Sequence, residues 1–216
     1  MPRRPSRRSA PVVLVFLKAP RPGFVKTRLA AEIGDAAATK LYRHLAERQV
    51  AAIPAKWRTE IHYAPRGART TMTDWLGSRP SYRLQRDVDL GARLTAAFAQ
   101  AFEHGAERVI AVGADCPDLD AAWLGTAAAR LDKADIVIGP ARDGGYYLIG
   151  LRRPTPAVFE GIPWGTSGVL QETLARVRDL DAEVALLAEK EDIDDGPSFR
   201  RYRQRQSRAA KALAAR

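Results

Sequence analysis

The stretch Val12-Val13-Leu14-Val15-Phe16-Leu17 constrains the fold more than any other part of the chain. It is a continuous apolar run, half of it β-branched, with none of the alternation that marks a strand wet on one side. A strand buried on both faces belongs in the middle of a sheet that carries helices above and below. The rest of the chain supplies matching parts. Helical spacing predicts helices over Asp35–Ala52, Leu90–His104, Ala121–Leu131, Ser167–Arg178 and Pro197–Ala215. Strands are predicted at Arg58–Tyr63, Tyr82–Arg86, Arg108–Val112, Asp135–Ile138, Tyr146–Leu151 and Val184–Leu187. Strands alternating with helices imply an α/β fold of three layers, α/β/α, around a mostly parallel sheet.

At 216 residues with 46% apolar content, one domain can bury an adequate core. A single cysteine, Cys116, excludes an intramolecular disulfide and a cysteine-based zinc site. His44, His62 and His104 show no ligand spacing, so any metal must be held mainly by oxygen, which favours Mg2+ or Mn2+.

The formal charge of +10 sits at the ends. Arg3, Arg4, Arg7 and Arg8 open the chain; Arg200, Arg201, Arg203, Arg205, Arg208, Lys211 and Arg216 close it. Neither segment holds an acid, so residues 9–199 are left at about −1. We therefore divide the chain into a basic flexible tail over 1–11, a single α/β domain over 12–200 and a basic C-terminal helix or tail over 201–216. Tails of this kind hold nucleic acid or anionic lipid nonspecifically and argue against specific nucleic-acid recognition by the body. The Arg-rich start followed by Val12–Leu17 imitates a signal peptide. The apolar run is too short, however, and Lys18, Pro20 and Pro22 follow without a cleavage site, so a cytoplasmic location is expected. No stretch reaches the roughly 18–20 apolar residues of a membrane span.

In open α/β sheets ligands sit beyond the carboxyl ends of the strands, and three unusual loops fall there. The first, Lys18 to Leu29, stiffens its backbone with Pro20 and Pro22, turns at Gly23 and then presents Lys26 and Arg28. Phosphate is its natural guest, although a solvated basic loop would read the same way, and neither a Walker A nor a GxGxxG pattern is present. The second, Gly113 to Asp120, sets Asp115 at the end of a buried strand, where a metal bridging nucleotide phosphates would give a carboxylate its reason. Asp118 or Asp120 suits the N-cap of the next helix, and Asp118 alternatively suits acceptor binding. Cys116 reads as a small buried residue. The third, Gly139 to Tyr147, contains Asp143 before Gly144 and Gly145, a common turn, and leads into Tyr146, which suits a wall for a second substrate. Beyond it, Trp164 could line the pocket, and Thr166 or Ser167 suits an N-cap. Asp192 and Asp194 follow the last strand and could complete a metal site opposite Asp115.

The ordered motifs Lys18-Ala19-Pro20-Arg21-Pro22-Gly23, Val25-Lys26-Thr27-Arg28-Leu29, Gly113-Ala114-Asp115-Cys116-Pro117-Asp118-Leu119 and Asp143-Gly144-Gly145-Tyr146-Tyr147 resemble a transferase family. That family is named for its association with radical-SAM and selenodomain proteins and is often described as glycosyltransferases. The resemblance spans roughly residues 12–200 and implies the GT-A, nucleotide-diphospho-sugar transferase fold. The first loop is also similar to that of 2-phospholactate guanylyltransferase and, more distantly, molybdenum cofactor guanylyltransferase. By that likeness Lys26, Arg28 and Lys18 contact phosphate, Asp115 holds metal, and Asp192 and Asp194 supply further metal ligands. The continuation Asp195-Gly196-Pro197 departs from the guanylyltransferase pattern. Gln85, Asp89, Gly91 and Arg93 fall in a segment that lies near nucleotide or acceptor in the family.

Two enzymatic readings follow. In nucleotidyl transfer an anionic acceptor attacks a nucleoside triphosphate, with Lys26, Arg28 and the metal neutralising charge. In glycosyl transfer from a nucleotide sugar, Asp143 or Asp118 would be the acceptor base, with Tyr146, Trp164 and Thr166 about the acceptor. Both take a nucleotide and a small-molecule acceptor, and the more highly charged triphosphate favours the first. A third reading is a nonenzymatic nucleotide- or RNA-binding protein.

Overall fold

The computed structural model describes residues 9–86 and 88–214. Arg3, Arg4, Arg7, Arg8 and Arg216 lie outside the described residues. The first strand, β1 (Val12–Lys18), does have two buried faces. Val13, Val15 and Leu17 enter one core cluster, while Val12 and Leu14 enter the other. Successive side chains of a strand point to opposite faces, so an unbroken apolar run is the pattern such a strand requires.

Around it the chain forms α1 (Thr27–Ile33), α2 (Asp35–Ala52), β2 (Arg58–Ala64), α3 (Arg69–Leu76), β3 (Ser81–Leu84) and α4 (Leu90–Glu103). Then come β4 (Val109–Val112), α5 (Ala121–Arg130), β5 (Ile136–Pro140), β6 (Tyr146–Leu151), α6 (Val169–Asp179), β7 (Val184–Leu186) and α7 (Gly196–Ala214). The strands make one seven-stranded sheet of order β3-β2-β1-β4-β6-β5-β7. One face packs on α2, α3 and α5 through Tyr42, Ala46, Met72, Leu124 and Ala127. The other packs on α4 and α6 through Leu94, Phe98 and Val177, with a 3-10 turn at Pro156–Phe159. The expected three-layer α/β/α fold with a mostly parallel sheet is the observed one. Among the described residues no helix is long and apolar enough to cross a membrane.

Three features differ from the sequence reading. β6 runs antiparallel to both neighbours, β4 and β5. Periodicity carries no direction, but residues 141–145 are too short a link for a parallel crossover and allow only an antiparallel neighbour. Helices α1 and α3 were not anticipated. Neither has a side-chain N-cap, and α3 is rich in Thr, a weak helix former. The cap before α6 is Gly168, not Thr166 or Ser167; the Thr166 hydroxyl instead donates to Pro163 O at 2.8 Å and accepts from Gly168 N at 3.2 Å.

α7 runs without a break through residue 200. Phe199 and Tyr202 pack on Leu29, Ala38 and Leu45 of α1 and α2. Arg201 Nε donates to Glu191 Oε1 at 2.6 Å, Arg205 Nη1 to Glu191 Oε2 at 2.7 Å, and Arg200 Nη1 to Glu32 Oε2 at 2.5 Å. Arg200, Arg201 and Arg205, three of the seven C-terminal cations, are thus paired with carboxylates of the domain.

Candidate functional site

The carboxyl ends of β1 and β4 open beneath the first loop. Tyr42 clamps the end of β1: its hydroxyl accepts from Lys18 N at 2.8 Å and donates to Lys18 O at 3.0 Å. The loop then turns, with Phe24 N donating to Arg21 O at 3.1 Å and Gly23 at φ 78°, a conformation glycine adopts without penalty. Lys26 also has positive φ, 52°, where a residue with a Cβ is strained by about 1–3 kcal/mol. That strained residue begins α1 and carries the central charge of the site.

Lys26 is only 3% exposed in its side chain, and its ammonium lies 2.5 Å from Asp115 Oδ1 and 2.6 Å from Asp194 Oδ1. Burial alone would lower its pKa, but the two carboxylates outweigh burial and the net direction is upward. Arg28, 73% exposed, reaches Asp194 Oδ2 at 3.3 Å. Asp194 arrives here because Ile193 N donates to Asp115 O at 3.0 Å while the Ile193 side chain is fully buried. This backbone bond lays the Glu191–Asp194 segment against the β4 loop and brings Asp192 beside Asp115. Burial first, then the charges of Asp115 and Asp194, push the Asp192 carboxyl up to about 8. Asp195 caps the start of α7, accepting from Ser198 N at 2.9 Å, which gives the Asp195-Gly196-Pro197 sequence a structural task.

Among the described residues no group of three or more His, Cys, Asp or Glu side chains stands in a metal-holding arrangement. Lys26 Nζ sits where Asp115 and Asp194 converge. The donor set nevertheless suits a hard cation: Asp192 Oδ1 is buried and accepts no hydrogen bond, and anionic oxygens are what Mg2+ or Mn2+ bind.

A cavity of about 480 Å³ fills the space above these groups. Lys18, Lys26, Arg28, Gln85, Asp115, Tyr146 and Asp194 line it. Gly23, Gly91, Arg93, Asp118, Asp143, Trp164, Thr166 and Asp192 are not in its lining. Gly23 shapes the turn. Gly91 packs where a Cβ would lie 2.7 Å from both Phe159 O and Trp164 Nε1, so it serves close packing of α4. Trp164 meets Tyr146 edge-on at 6.2 Å. Arg93 donates to Val88 O at 2.7 Å and to Gln85 Oε1 at 3.2 Å, lining a second, wider cleft beside α4. Asp120, not Asp118, caps α5 by accepting from Trp123 N at 2.8 Å, which leaves Asp118 3.9 Å from Arg205 Nη2. Asp143 closes its own turn onto Gly145 N at 2.9 Å, yet its charge also raises the Asp192 pKa. Thr166 is held in the turn before α6. Cys116 is buried and its thiol is pushed up to about 12, chiefly by burial, so it is no nucleophile.

The sequence reading missed Phe24 and Leu90, which also line the cavity. Phe24 left one signal, a large aromatic beside Gly23 in a Pro/Gly loop. Tyr42 left none, because an aromatic on a helix is ordinarily core.

The family model described as an uncharacterized protein conserved in bacteria, DUF2064, matches residues 47–166. The chain belongs to this family. The structure of a candidate nucleotide-diphospho-sugar transferase from Desulfovibrio desulfuricans G20 is similar to this DUF2064 member at TM-score 0.82 and 38% identity, covering 87% of this chain and 83% of the other. Two remote structures share the fold. CMP:2-keto-3-deoxy-manno-octonic acid synthetase complexed with CTP gives TM-score 0.59 at 10% identity, covering 93% of this chain and all of its own. Rv0371c of Mycobacterium tuberculosis H37Rv in complex with manganese gives 0.56 at 15%, covering 89% and 97%. The fold is thus of the nucleotide-diphospho-sugar transferase type. No curated protein matches the sequence significantly.

Proposed function

We propose that this DUF2064 protein is a metal-dependent transferase acting on a nucleotide-activated substrate, with nucleotidyl transfer to a small phosphorylated or carboxylate acceptor as the favoured reaction. One observation carries the reading: a strained, buried lysine is held by two aspartates at the polar end of a nucleotide-sized cavity. A buried ammonium with an exposed guanidinium two residues on is an electrostatic clamp for polyphosphate. The fold supports it, since a remote structure of the same fold holds CTP.

In this reaction an acceptor oxygen attacks the α-phosphorus, and the bond to the bridging oxygen breaks to release pyrophosphate. Lys26 and Arg28 neutralise charge on the phosphate oxygens, and Lys18 extends the positive wall. An acceptor already anionic needs no protein base. A divalent cation bound by Asp115, Asp192 and Asp194 would supply further neutralisation of phosphate charge.

Glycosyl transfer from a nucleotide sugar is the second reading, favoured by the description of the 38% identical Desulfovibrio protein. It would use the same clamp on a diphosphate and require Asp143 or Asp118 as acceptor base. Melting curves with nucleoside triphosphates and nucleotide sugars, each with and without Mg2+ or Mn2+, separate the two. Stabilisation by triphosphates but not by nucleotide sugars is expected; the reverse selects glycosyl transfer. If no nucleotide stabilises the protein and Asp115→Asn changes nothing, both readings fail.

A further inference from the structure

The cavity lining is of two kinds. Lys18, Lys26, Arg28, Asp115 and Asp194 are charged, whereas Phe24 and Leu90 are apolar. Phe24 is 69% exposed and Leu90 39% exposed. Phe24 is not on a slack loop. The Phe24 N to Arg21 O bond closes the turn before it, Val25 after it is buried, and Lys26 is clamped by two aspartates. The backbone that carries the ring is therefore held in place, two residues from the Lys26 ammonium.

Resting on the nucleotide reading above, we propose that Phe24 stacks on the base of the bound nucleotide and grips it by its face. Two polar side chains of the lining, Tyr42 and Gln85, are already engaged and present no free edge to a base. The Tyr42 hydroxyl is spent on the Lys18 backbone. Gln85 Nε2 donates to Leu17 O at 3.1 Å and His62 O at 2.7 Å, and its Oε1 accepts from Arg93. A face-on grip without edge recognition is tolerant, because every base offers a π-face. The site takes a charged tail at Lys26 and any flat aromatic head at Phe24.

The test compares dissociation constants of the full chain for ATP, GTP, CTP, UTP and inorganic tripolyphosphate, with Mg2+, in wild type, Phe24→Ala and Phe24→Trp. Phe24→Ala should weaken all four nucleotides about tenfold or more and leave tripolyphosphate unchanged. Phe24→Trp should restore affinity, and its fluorescence should be quenched by nucleotide. A loss shared with tripolyphosphate, confined to one base, or absent overturns the inference. Wild type binding tripolyphosphate as tightly as nucleotides also overturns the stacking while leaving the phosphate clamp intact. Wild type binding neither removes the transferase reading and this inference with it.

Discussion

Two buried charge clusters lie on the same sheet, one on β2 and one beyond the ends of β1 and β4, and they are built on opposite plans. Mid-strand on β2, Glu60 has a side chain only 3% exposed and meets Arg83 Nε at 2.7 Å and Arg58 Nε at 3.3 Å. One carboxylate faces two guanidinium groups, and His62 beside it stacks on Phe16 at 5.0 Å. At the strand ends the balance reverses: Asp115, Asp192 and Asp194 crowd around the single buried ammonium of Lys26, and one Asp192 oxygen has no hydrogen-bond partner. The Glu60 carboxylate is matched by its two guanidinium neighbours, while His62 Nε2 beside it has no hydrogen-bond partner. The Lys26 cluster instead gathers three carboxylates about one buried ammonium and one exposed guanidinium, and that crowding, added to burial, raises the Asp192 pKa.

The contrast is broken most severely at its centre. Lys26→Met should lower nucleotide-dependent activity by about 100- to 1000-fold, the usual effect of removing one such electrostatic contact. It also leaves crowded carboxylates without their buried counter-charge, a loss of about 3–5 kcal/mol for a broken buried pair. Mg2+ should then restore stability in Lys26→Met to a larger extent than it stabilises wild type. Melting with and without Mg2+ checks this, and an unchanged metal response would show that the three aspartates do not act as one acidic site.

Glu60→Gln attacks the other cluster. Loss of a buried charge with two Arg partners should cost about 2–3 kcal/mol, moderated because both guanidinium groups are partly exposed. Denaturant unfolding measures it. Neither the metal response nor nucleotide affinity should move; a change in either would join the two clusters that we treat as separate.

How much of this was legible beforehand follows the same division. The two-sided strand Val12–Leu17, the Lys26–Arg28 loop and Asp115 at a strand end could be read from residue order, because each depends on local pattern and on the rule that ligands gather at carboxyl ends of strands. The direction of β6 was open until loop length was weighed. What local pattern could not give was pairing across the chain. The Ile193 to Asp115 backbone bond that brings Asp192 and Asp194 to the site spans 78 positions. The Glu60–Arg83 pair likewise depends on β2 and β3 lying in register, with Glu60 opposite Ser81 and His62 opposite Arg83. For the same reason the C-terminal arginines read as a basic helix or tail with no partner assigned, whereas Arg201 and Arg205 pair with Glu191.

The finest difference between the clusters concerns protons. Burial, the dominant cause, holds His62 down at about 4, with the Glu60 charge pulling upward and the Arg83 charge pulling down. An unfolded histidine titrates near 6.5. As pH falls below that value the unfolded chain takes up a proton that the folded state refuses, so stability drops from about pH 6.5 until about pH 4. At pH 5 the loss should be about 2 kcal/mol. His62→Phe keeps a ring against Phe16 and removes the titration. The difference in unfolding free energy between the two proteins should therefore change by that amount between pH 7 and 5, with wild type the one that falls. Taking the difference cancels carboxylates common to both. A flat difference would mean that water or Glu60 already meets the imidazolium, and the Glu60 cluster would then be as open as the one around Lys26.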